Sequence, residues 1–290
     1  MSPVPSEHSR PATMSRKAAL DMSTASLASA WRLLQLLRGG KTTGYRERYW
    51  IACALSWLPL RLDWILHVFG TDKQAVGDHQ YGATYHRELV QFRYKPVTLL
   101  EIGVLNGASL LSWRAFFPRG RFIGSDIEPK TRFERGRIST FLADQSRTTD
   151  LQLLCQKMGP FDIIIDDGSH LSAHQILTFY EMFPVLRNGG LYIIEDVQTS
   201  FWPGFFGGTT IFDPAFRQSC VGEFLELAKY LNHNEFFSKE GLDARRLAFA
   251  KTIKSIAFEH NLIIIRKGPN DDPSNFERQA KMNNNWGWPS

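Results

Sequence analysis

The sequence has few cysteines and no long apolar run, and each absence excludes a class of protein. Its three cysteines are far apart and odd in number, which fits neither a zinc site nor a disulfide framework and favours a reducing compartment. The most apolar stretch, residues 50–65, contains Pro59, Arg61 and Asp63 and is too short to span a bilayer. Residues 1–30 lack the apolar segment of a signal peptide, so we expect a cytoplasmic protein.

Basic charge is present in the sequence but is not concentrated. The net charge is +5 and the pI is about 9.1, yet there is no long lysine or arginine run and no nucleic-acid-binding motif. We therefore expect no nucleic-acid partner, whereas an anionic lipid or an acidic acceptor stays open. A hydrophobic content of 43% and a charged content of 22% are typical of a globular protein with a sizeable core.

The first third of the chain shows helical patterns rather than strands. Residues 1–15 are rich in serine, proline and histidine, so we expect disorder there. Residues 16–95 predict a helical arm and a cofactor-lid loop. The arm has one helix over 17–37 and a helix or helix pair over 49–69, and the lid loop comprises 69–73, 77–82 and Tyr85. Two interpretations of the arm are open. It packs on the main domain or on a second subunit of a homo-oligomer, which we favour, or it makes a peripheral membrane contact.

From residue 96 onward, strand and helix patterns alternate. Alternation of this kind predicts a doubly wound α/β sheet. Two final strands, 253–258 and 262–266, are joined by a tight turn, so the last strand should be antiparallel within the sheet. The predicted fold is a Rossmann-like seven-stranded α/β domain over residues 96–267, with a C-terminal tail over 268–290. The five earlier strand patterns cover 98–103, 121–126, 140–143, 161–166 and 191–196. Before the last of these, a helix pattern over 173–186 is stopped by Asn188, Gly189 and Gly190.

The strand over 161–166 ends in a group of polar residues. Its apolar run is followed by Asp166, Asp167, a glycine, a serine and His170. Ligands bind beyond the carboxyl ends of buried parallel strands. Because side chains alternate across a strand, Asp166 and Asp167 should point in different directions and serve two ligands. The alternative is a solvated loop in which Asp166 caps the next helix.

Two further strand ends indicate a nucleoside cofactor. Glu101 and Gly103 lie in a glycine-bearing turn from strand into helix, where a ligand can approach backbone donors. Asp126 ends the next strand, where a carboxylate can hydrogen-bond ribose hydroxyls. The turn lacks the third glycine of the dinucleotide pattern, so these residues indicate a nucleoside cofactor without showing which one.

The glycine-bearing turn and the terminal hairpin together resemble class I S-adenosylmethionine-dependent methyltransferases over residues 97–267; a dehydrogenase is the second choice. Five motifs narrow the resemblance to one subgroup. They look like the metal-dependent sugar O-methyltransferases of macrolide and anthracycline-type antibiotic pathways, and their relatives acting on bacterial glycolipids and polysaccharides. The motifs lie at 69–73, 144–146, 159–162, 166–170 and 195–203.

The resemblance implies S-adenosyl-L-methionine and Mg²⁺ as cofactors, with Mg²⁺ held by Asp167, Glu195 and Asp196. It also implies His170 as the general base. Three oxygen ligands without cysteine suit a hard cation such as Mg²⁺, and coordination would lower the pKa of a sugar hydroxyl. The cofactor-side residues are then Thr71, Tyr85, Glu101, Gly103, Asp126, Asp144, Gln145 and Asp166.

Three points stay open on sequence alone. His174 and His79 are alternatives to His170 as the base. Residues 199–208, rich in aromatics and glycine, are an acceptor-facing loop or an ordered loop at a subunit contact. The predicted reaction is methylation of a sugar hydroxyl in a glycosylated natural product, glycolipid or polysaccharide. A catechol-type O-methyltransferase and a non-catalytic cofactor-binding protein are the alternatives.

Overall fold

The computed structural model describes residues 44–74, 79–274 and 276. The predicted disorder of residues 1–15 and the predicted helix over 17–37 lie outside these residues, as does the tail from residue 277. The chain divides into two compact units, Met1–Arg48 and Tyr49–Ser290. Of the first unit only residues 44–48 are described, and from Tyr45 they are helical.

Among the described residues, three α-helices precede the sheet: α1 covers Tyr45–Leu55, α2 covers Leu62–Phe69 and α3 covers Gly82–Leu89. Of the helix or helix pair expected over 49–69, the structure has the pair, and its first helix begins at Tyr45. The apolar face of α2 is buried, and α2 packs against α3. It ends at Gly70, whose φ of 67° is the left-handed conformation that often ends a helix. Within the described residues, no helix is long and apolar enough to cross a membrane.

A seven-stranded sheet forms the centre of the domain, in the order β3-β2-β1-β4-β5-β7-β6. The first five strands pair in parallel, and β7 runs antiparallel to both β5 and β6. The predicted sheet with its antiparallel terminal hairpin is confirmed. The strands are β1 Thr98–Ile102, β2 Arg121–Asp126, β3 Ile138–Leu142, β4 Phe161–Asp166, β5 Leu186–Glu195, β6 Ile253–Glu259 and β7 Leu262–Lys267.

The boundary before β5 differs from the sequence prediction, which continued the helix to residue 186 and began the strand at 191. The helix ends at Met182 and β5 begins at Leu186, which pairs with Phe161. Residues 187–190 then leave the ladder, and pairing resumes at Leu191. The glycines in this excursion therefore interrupt a strand rather than precede one. The remaining helices are α4 Ala108–Phe116, α5 Thr148–Met158, α6 Ser172–Met182, α7 Pro214–Arg217, α8 Cys220–Lys229 and α9 Ala244–Ala250.

One face of the sheet carries an apolar cluster that includes residues of α5, α6 and α8. Phe179 of α6 lies at its centre, with ring centroids 5.3 Å from Tyr192 and 4.7 Å from Phe224. Fully burying a side chain of this size contributes about 1.5–3 kcal/mol relative to leaving it exposed. The opposite face of β1 carries Glu101, which contacts α4. This packed core fixes the strands and hence the level at which their carboxyl ends emerge.

Candidate active site

The carboxyl ends of four strands meet at one edge of the sheet. Ile102 of β1 pairs with Ser125 of β2 on one side and with Asp166 of β4 on the other, and Asp166 pairs with Ile194 of β5. The residues that follow each strand therefore leave the sheet at the same level. A cavity of about 540 Å³ opens there, and a smaller one of about 210 Å³ lies beside it.

Asp166 and Asp167 point to opposite faces of the sheet, as the alternation of side chains along a strand requires. Asp166 is fully buried and accepts a 2.5 Å hydrogen bond from the amide of Gln145. Asp167 instead pairs with Lys73 on the other face. Burial raises the pKa of Asp166 to about 7. Among the described residues, Asp166 lines neither cavity, so it supports Gln145 from beneath.

Lys73 is almost completely buried, and three carboxylates surround its ammonium group. The Nζ atom lies 3.0 Å from Glu195 Oε1 and 3.6 Å from Glu101 Oε1, and it donates a short hydrogen bond to Asp167. Sequence reasoning gave Lys73 no role. Its only signal was its place in the 69–73 motif, because lysine is rarely buried.

Two tyrosines from the lid loop and α3 donate hydrogen bonds to the end of β5. The Tyr85 hydroxyl lies 2.5 Å from Glu195 Oε1, and the Tyr81 hydroxyl lies 2.6 Å from Asp196 Oδ1. Burial and these carboxylates raise the pKa of both phenols, so both stay protonated and donate. Tyr85 was predicted to face the cofactor. The structure brings it to Glu195, and Tyr81 was not predicted at all.

If all three carboxylates around Lys73 were ionised, negative charge would exceed positive charge in this cluster. Burial raises the pKa of Glu101 to about 7 and raises that of Glu195 well above its usual value, with Asp167 adding to the rise for Glu195. Burial also raises the pKa of Asp167, against the opposing effect of Lys73. One ammonium group cannot neutralise three carboxylates. When these acids are ionised, the cluster therefore lacks positive charge, which a further cation could supply.

The residues beside this cluster fit a hard divalent cation. Asp167, His170 and Asp196 each offer one ligand atom, and these atoms lie within 4.8 Å of one another. The two carboxylates supply the oxygen donors that a hard ion prefers, and the set contains no thiolate. Glu195, predicted as the third ligand, instead directs both carboxylate oxygens at Lys73. The structure thus brings two of the three predicted ligands together with His170.

His170 and Asp196 both have a backbone conformation that favours glycine, with φ of 57° and 55°. Such conformations cost about 1–3 kcal/mol each and cluster at functional sites. The hydroxyl of Thr199 lies within hydrogen-bond distance of the carbonyl oxygens of both residues, at 2.8 Å for His170 and 3.0 Å for Asp196. Thr199 therefore ties the two strained turns together. Sequence reasoning placed it in the acceptor loop and missed this role.

The larger cavity is lined by three of the predicted cofactor residues, Thr71, Gly103 and Asp126. Gly103 has a φ of 86°, and a Cβ atom there would lie 1.9 Å from the carbonyl oxygen of Asp167. Only glycine fits this crossing of two strand ends. Asp126 accepts 2.9 Å hydrogen bonds from the backbone amides of Val104 and Glu128, which fixes its carboxylate at the cavity wall.

The smaller cavity is lined by Asp144 and Gln145, together with apolar side chains such as Ile127. The Gln145 side chain bridges two groups. Its amide nitrogen donates a hydrogen bond to Asp166, and its amide oxygen accepts one from the backbone N–H of Ser169 at 2.9 Å. A narrow, mainly apolar cavity with a few fixed polar groups suits a planar heterocycle. Both residues were predicted to face the cofactor, and both line this cavity.

The three candidate bases occupy different places. His174 lines the smaller cavity and lies 2.8 Å from the Ser169 hydroxyl. His79 Nδ1 lies 2.9 Å from Asp196 Oδ1, whereas His170 lines the larger cavity beside Asp196, at 3.7 Å. Geometry therefore favours His170 over His174, and His79 holds Asp196 from the lid-loop side.

The comparisons with known proteins agree with this geometry, although no family model matches the chain. The chain is 39% identical over 216 residues to the 8-demethyl-8-alpha-L-rhamnosyl tetracenomycin-C 2'-O-methyltransferase of Streptomyces olivaceus, covering 72% of this chain and 55% of that protein. It is 38% identical over 205 residues to the mycinamicin VI 2''-O-methyltransferase of Micromonospora griseorubida, covering 67% and 49%. The chain spans about half the length of the curated relatives it matches.

Solved structures extend the match over more of the chain. The mycinamycin-pathway methyltransferase MycE in complex with Mg, SAH and mycinamycin VI superposes with a TM-score of 0.66 at 30% identity, covering 92% of this chain and 70% of that chain. A second MycE crystal form with Mg and SAH gives 0.68 at 29% identity, covering 97% and 73%. The fold and the acids at the strand ends define a class I S-adenosylmethionine-dependent methyltransferase. Within that class, the chain belongs to the family of sugar O-methyltransferases whose members include the relatives named above for tetracenomycin and macrolide compounds.

Proposed function

We propose that this chain transfers a methyl group from S-adenosyl-L-methionine to a hydroxyl of a sugar unit, in a Mg²⁺-dependent reaction. The observation that carries the proposal is the convergence of Asp167, His170 and Asp196 within 4.8 Å of one another, at the wall of a cavity of nucleoside size. Relatives named for methylation of glycosylated compounds, and MycE structures that hold Mg and SAH, support it.

The cofactor would extend across both cavities. The adenine would lie in the smaller cavity beside Gln145, and Asp126 would accept hydrogen bonds from the ribose hydroxyls. Gly103 would allow the methionyl part to approach the backbone, and Thr71 would contact it from the lid loop. Glu101 would support this part of the site from beneath the larger cavity, because Ser109 and Trp113 donate hydrogen bonds to one of its carboxylate oxygens and fix its position.

The cation would be held by Asp167 and Asp196, with Glu195 available as a third ligand if its side chain leaves Lys73. When bound, Mg²⁺ would supply positive charge that lowers the pKa of the acceptor hydroxyl. His170 accepts the hydroxyl proton, and the donors around Asp196 keep its carboxylate aimed at the same point. The remaining task of the protein is to align the hydroxyl oxygen with the methyl group.

The acceptor would approach from the segment that follows Asp196. Residues 197–205 form two short 3₁₀ turns, and the side chains of Phe206 and Phe212 are largely exposed beyond them. Exposed aromatic side chains suit a sugar joined to an apolar group, which supports a glycosylated small molecule as the acceptor. A homo-oligomer, a cytoplasmic location and a membrane contact of the arm stay predictions from the sequence.

Labelled methyl transfer tests the proposal. Purified protein with labelled S-adenosyl-L-methionine would be offered deoxysugar glycosides, glycolipids, polysaccharide and a catechol, each with Mg²⁺ and with EDTA. We expect labelled product with a glycoside and Mg²⁺, and none with EDTA. Labelling of the catechol alone would favour the catechol-type alternative. Asp162→Asn, at the opposite end of β4 from Asp167, is the control for Asp167→Asn and should keep activity.

A further inference from the structure

Lys73 is buried in a position that the local fold fixes. Helix α2 ends at Gly70, and the turn that follows is closed by a 3.1 Å hydrogen bond from the Lys73 amide to the Thr71 hydroxyl. The whole side chain then extends inward, and Lys73 keeps only 1% of its surface exposed. A buried ammonium is costly unless it is paired with anions, so its partners indicate its purpose.

Those partners are the acids that the proposed function assigns to a metal ion. The Nζ atom lies 3.0 and 3.1 Å from the two carboxylate oxygens of Glu195 and donates a short hydrogen bond to Asp167. Tyr85 donates a further hydrogen bond to Glu195. The ammonium therefore lies between Asp167 and Glu195, as a bridging cation would.

Three acids surround the single ammonium group of Lys73. Besides Asp167 and Glu195, Glu101 also faces it, at 3.6 Å. Like charges at such distances repel strongly in a buried site. Without Lys73, Asp167 and Glu195 could remain ionised side by side only if another cation replaced it.

We propose that Lys73 is a positioning residue that acts as an internal counter-cation, holding Asp167 and Glu195 together until a divalent cation binds and takes over part of their charge. Lysine and divalent cation are then alternative means of stabilising the same acids. This role rests on the proposed function, which assigns a divalent cation to this site. It gives a task to Lys73, to which the proposed function assigns none.

Thermal unfolding of Lys73→Met, in EDTA and with saturating Mg²⁺, tests the proposal without an acceptor. The variant should melt about 10 °C below the wild type in EDTA, because two buried acids lose their partner. Mg²⁺ should recover much of that loss, so its stabilising shift should be larger in the variant than in the wild type.

Lys130→Met is the matched control. Lys130 is also buried in the larger cavity, but it pairs with Asp126 and Glu128 rather than with the metal acids. Its Mg²⁺ shift should equal that of the wild type.

An equal or smaller Mg²⁺ shift in Lys73→Met would overturn the proposal, since Lys73 would then be a structural lysine or a group the metal needs. The absence of a Mg²⁺ shift in every protein would overturn it as well. If Lys73→Met does not fold in EDTA, Lys73→Gln serves instead, with the same expected direction. A wild type that responds to Mg²⁺ but methylates no sugar would contradict the proposed function alone. An active enzyme with equal shifts would contradict the role of Lys73 alone.

Discussion

The hydroxyl of Tyr85 lies 2.5 Å from a carboxylate oxygen of Glu195, although 110 residues separate the two in the chain. This contact joins α3 to the end of β5 at the acid cluster. The preceding residue of α3, Thr84, donates a 2.6 Å hydrogen bond to Glu259 in the terminal hairpin. The helix thus connects the far edge of the sheet with the site.

Tyr85→Phe should lower the free energy of unfolding by about 1–3 kcal/mol, because one oxygen of buried Glu195 loses a donor. Chemical denaturation in EDTA measures this value. Tyr94→Phe is the control. Tyr94 is 53% exposed, so removing its hydroxyl should change the free energy of unfolding by less than about 0.5 kcal/mol. Equal effects of the two variants would show that the Tyr85 contact contributes little.

Thr199→Val removes the hydroxyl that contacts the carbonyls of His170 and Asp196 while keeping the side-chain shape. We expect Mg²⁺ affinity to fall about tenfold, because the turn that aims the Asp196 carboxylate at the cation loses the hydroxyl that ties it to the His170 turn. Calorimetric titration measures the affinity. Thr199→Ser keeps the hydroxyl and should bind Mg²⁺ as the wild type does. Wild-type affinity in the valine variant would count against this role.

Gly103→Ala should abolish cofactor binding and cost at least about 2 kcal/mol of stability, because its Cβ would overlap the Asp167 carbonyl and φ would stay positive. Gly204→Ala is the matched control, since nothing lies within 4 Å of a Cβ at that position. Equilibrium binding of S-adenosyl-L-methionine and a melting curve measure the two effects. Retained binding in Gly103→Ala would refute the close approach.

Glu101 gives the stability a pH dependence with a definite sign. Burial raises its pKa from 4.5 to about 7 in the folded protein, so the folded state holds a proton that the unfolded state releases. Its contribution to stability is present below pH 4.5 and is lost as the pH rises through about 7. Relative to Glu101→Gln, the wild type should lose about 3 kcal/mol over this window in EDTA. A pH-independent difference between the two proteins would contradict it.

The sequence predicted the sheet because each parallel strand is a short apolar run that ends in an acid or a glycine. The same signal placed Asp126, Asp167 and Glu195 at one edge. It did not predict that Lys73 and Tyr81 reach these acids, because their positions depend on how the turn after α2 and the start of α3 pack on the sheet. These contacts join residues that are far apart in the sequence, so no local sequence pattern predicts them.

Glycine caused the error at β5, where the sequence prediction treated residues 188–190 as a helix stop. The structure uses them as an excursion between two paired parts of one strand. The sequence also did not predict which group the Glu195 side chain contacts. Side-chain alternation gives the face on which it lies, but only the position of Lys73 on that face decides what it contacts.

Mg²⁺ binding to Asp167→Asn and Asp196→Asn, measured by calorimetry beside S-adenosyl-L-methionine binding, tests the central claim most directly. Both carboxylates offer ligand atoms at the same point, so each variant should lose Mg²⁺ binding by at least about tenfold. Cofactor affinity should stay within about twofold of the wild type, because Asp126 and Gln145 hold that part of the site. Asp162→Asn should change neither value. Wild-type Mg²⁺ affinity in Asp167→Asn and Asp196→Asn would contradict the account.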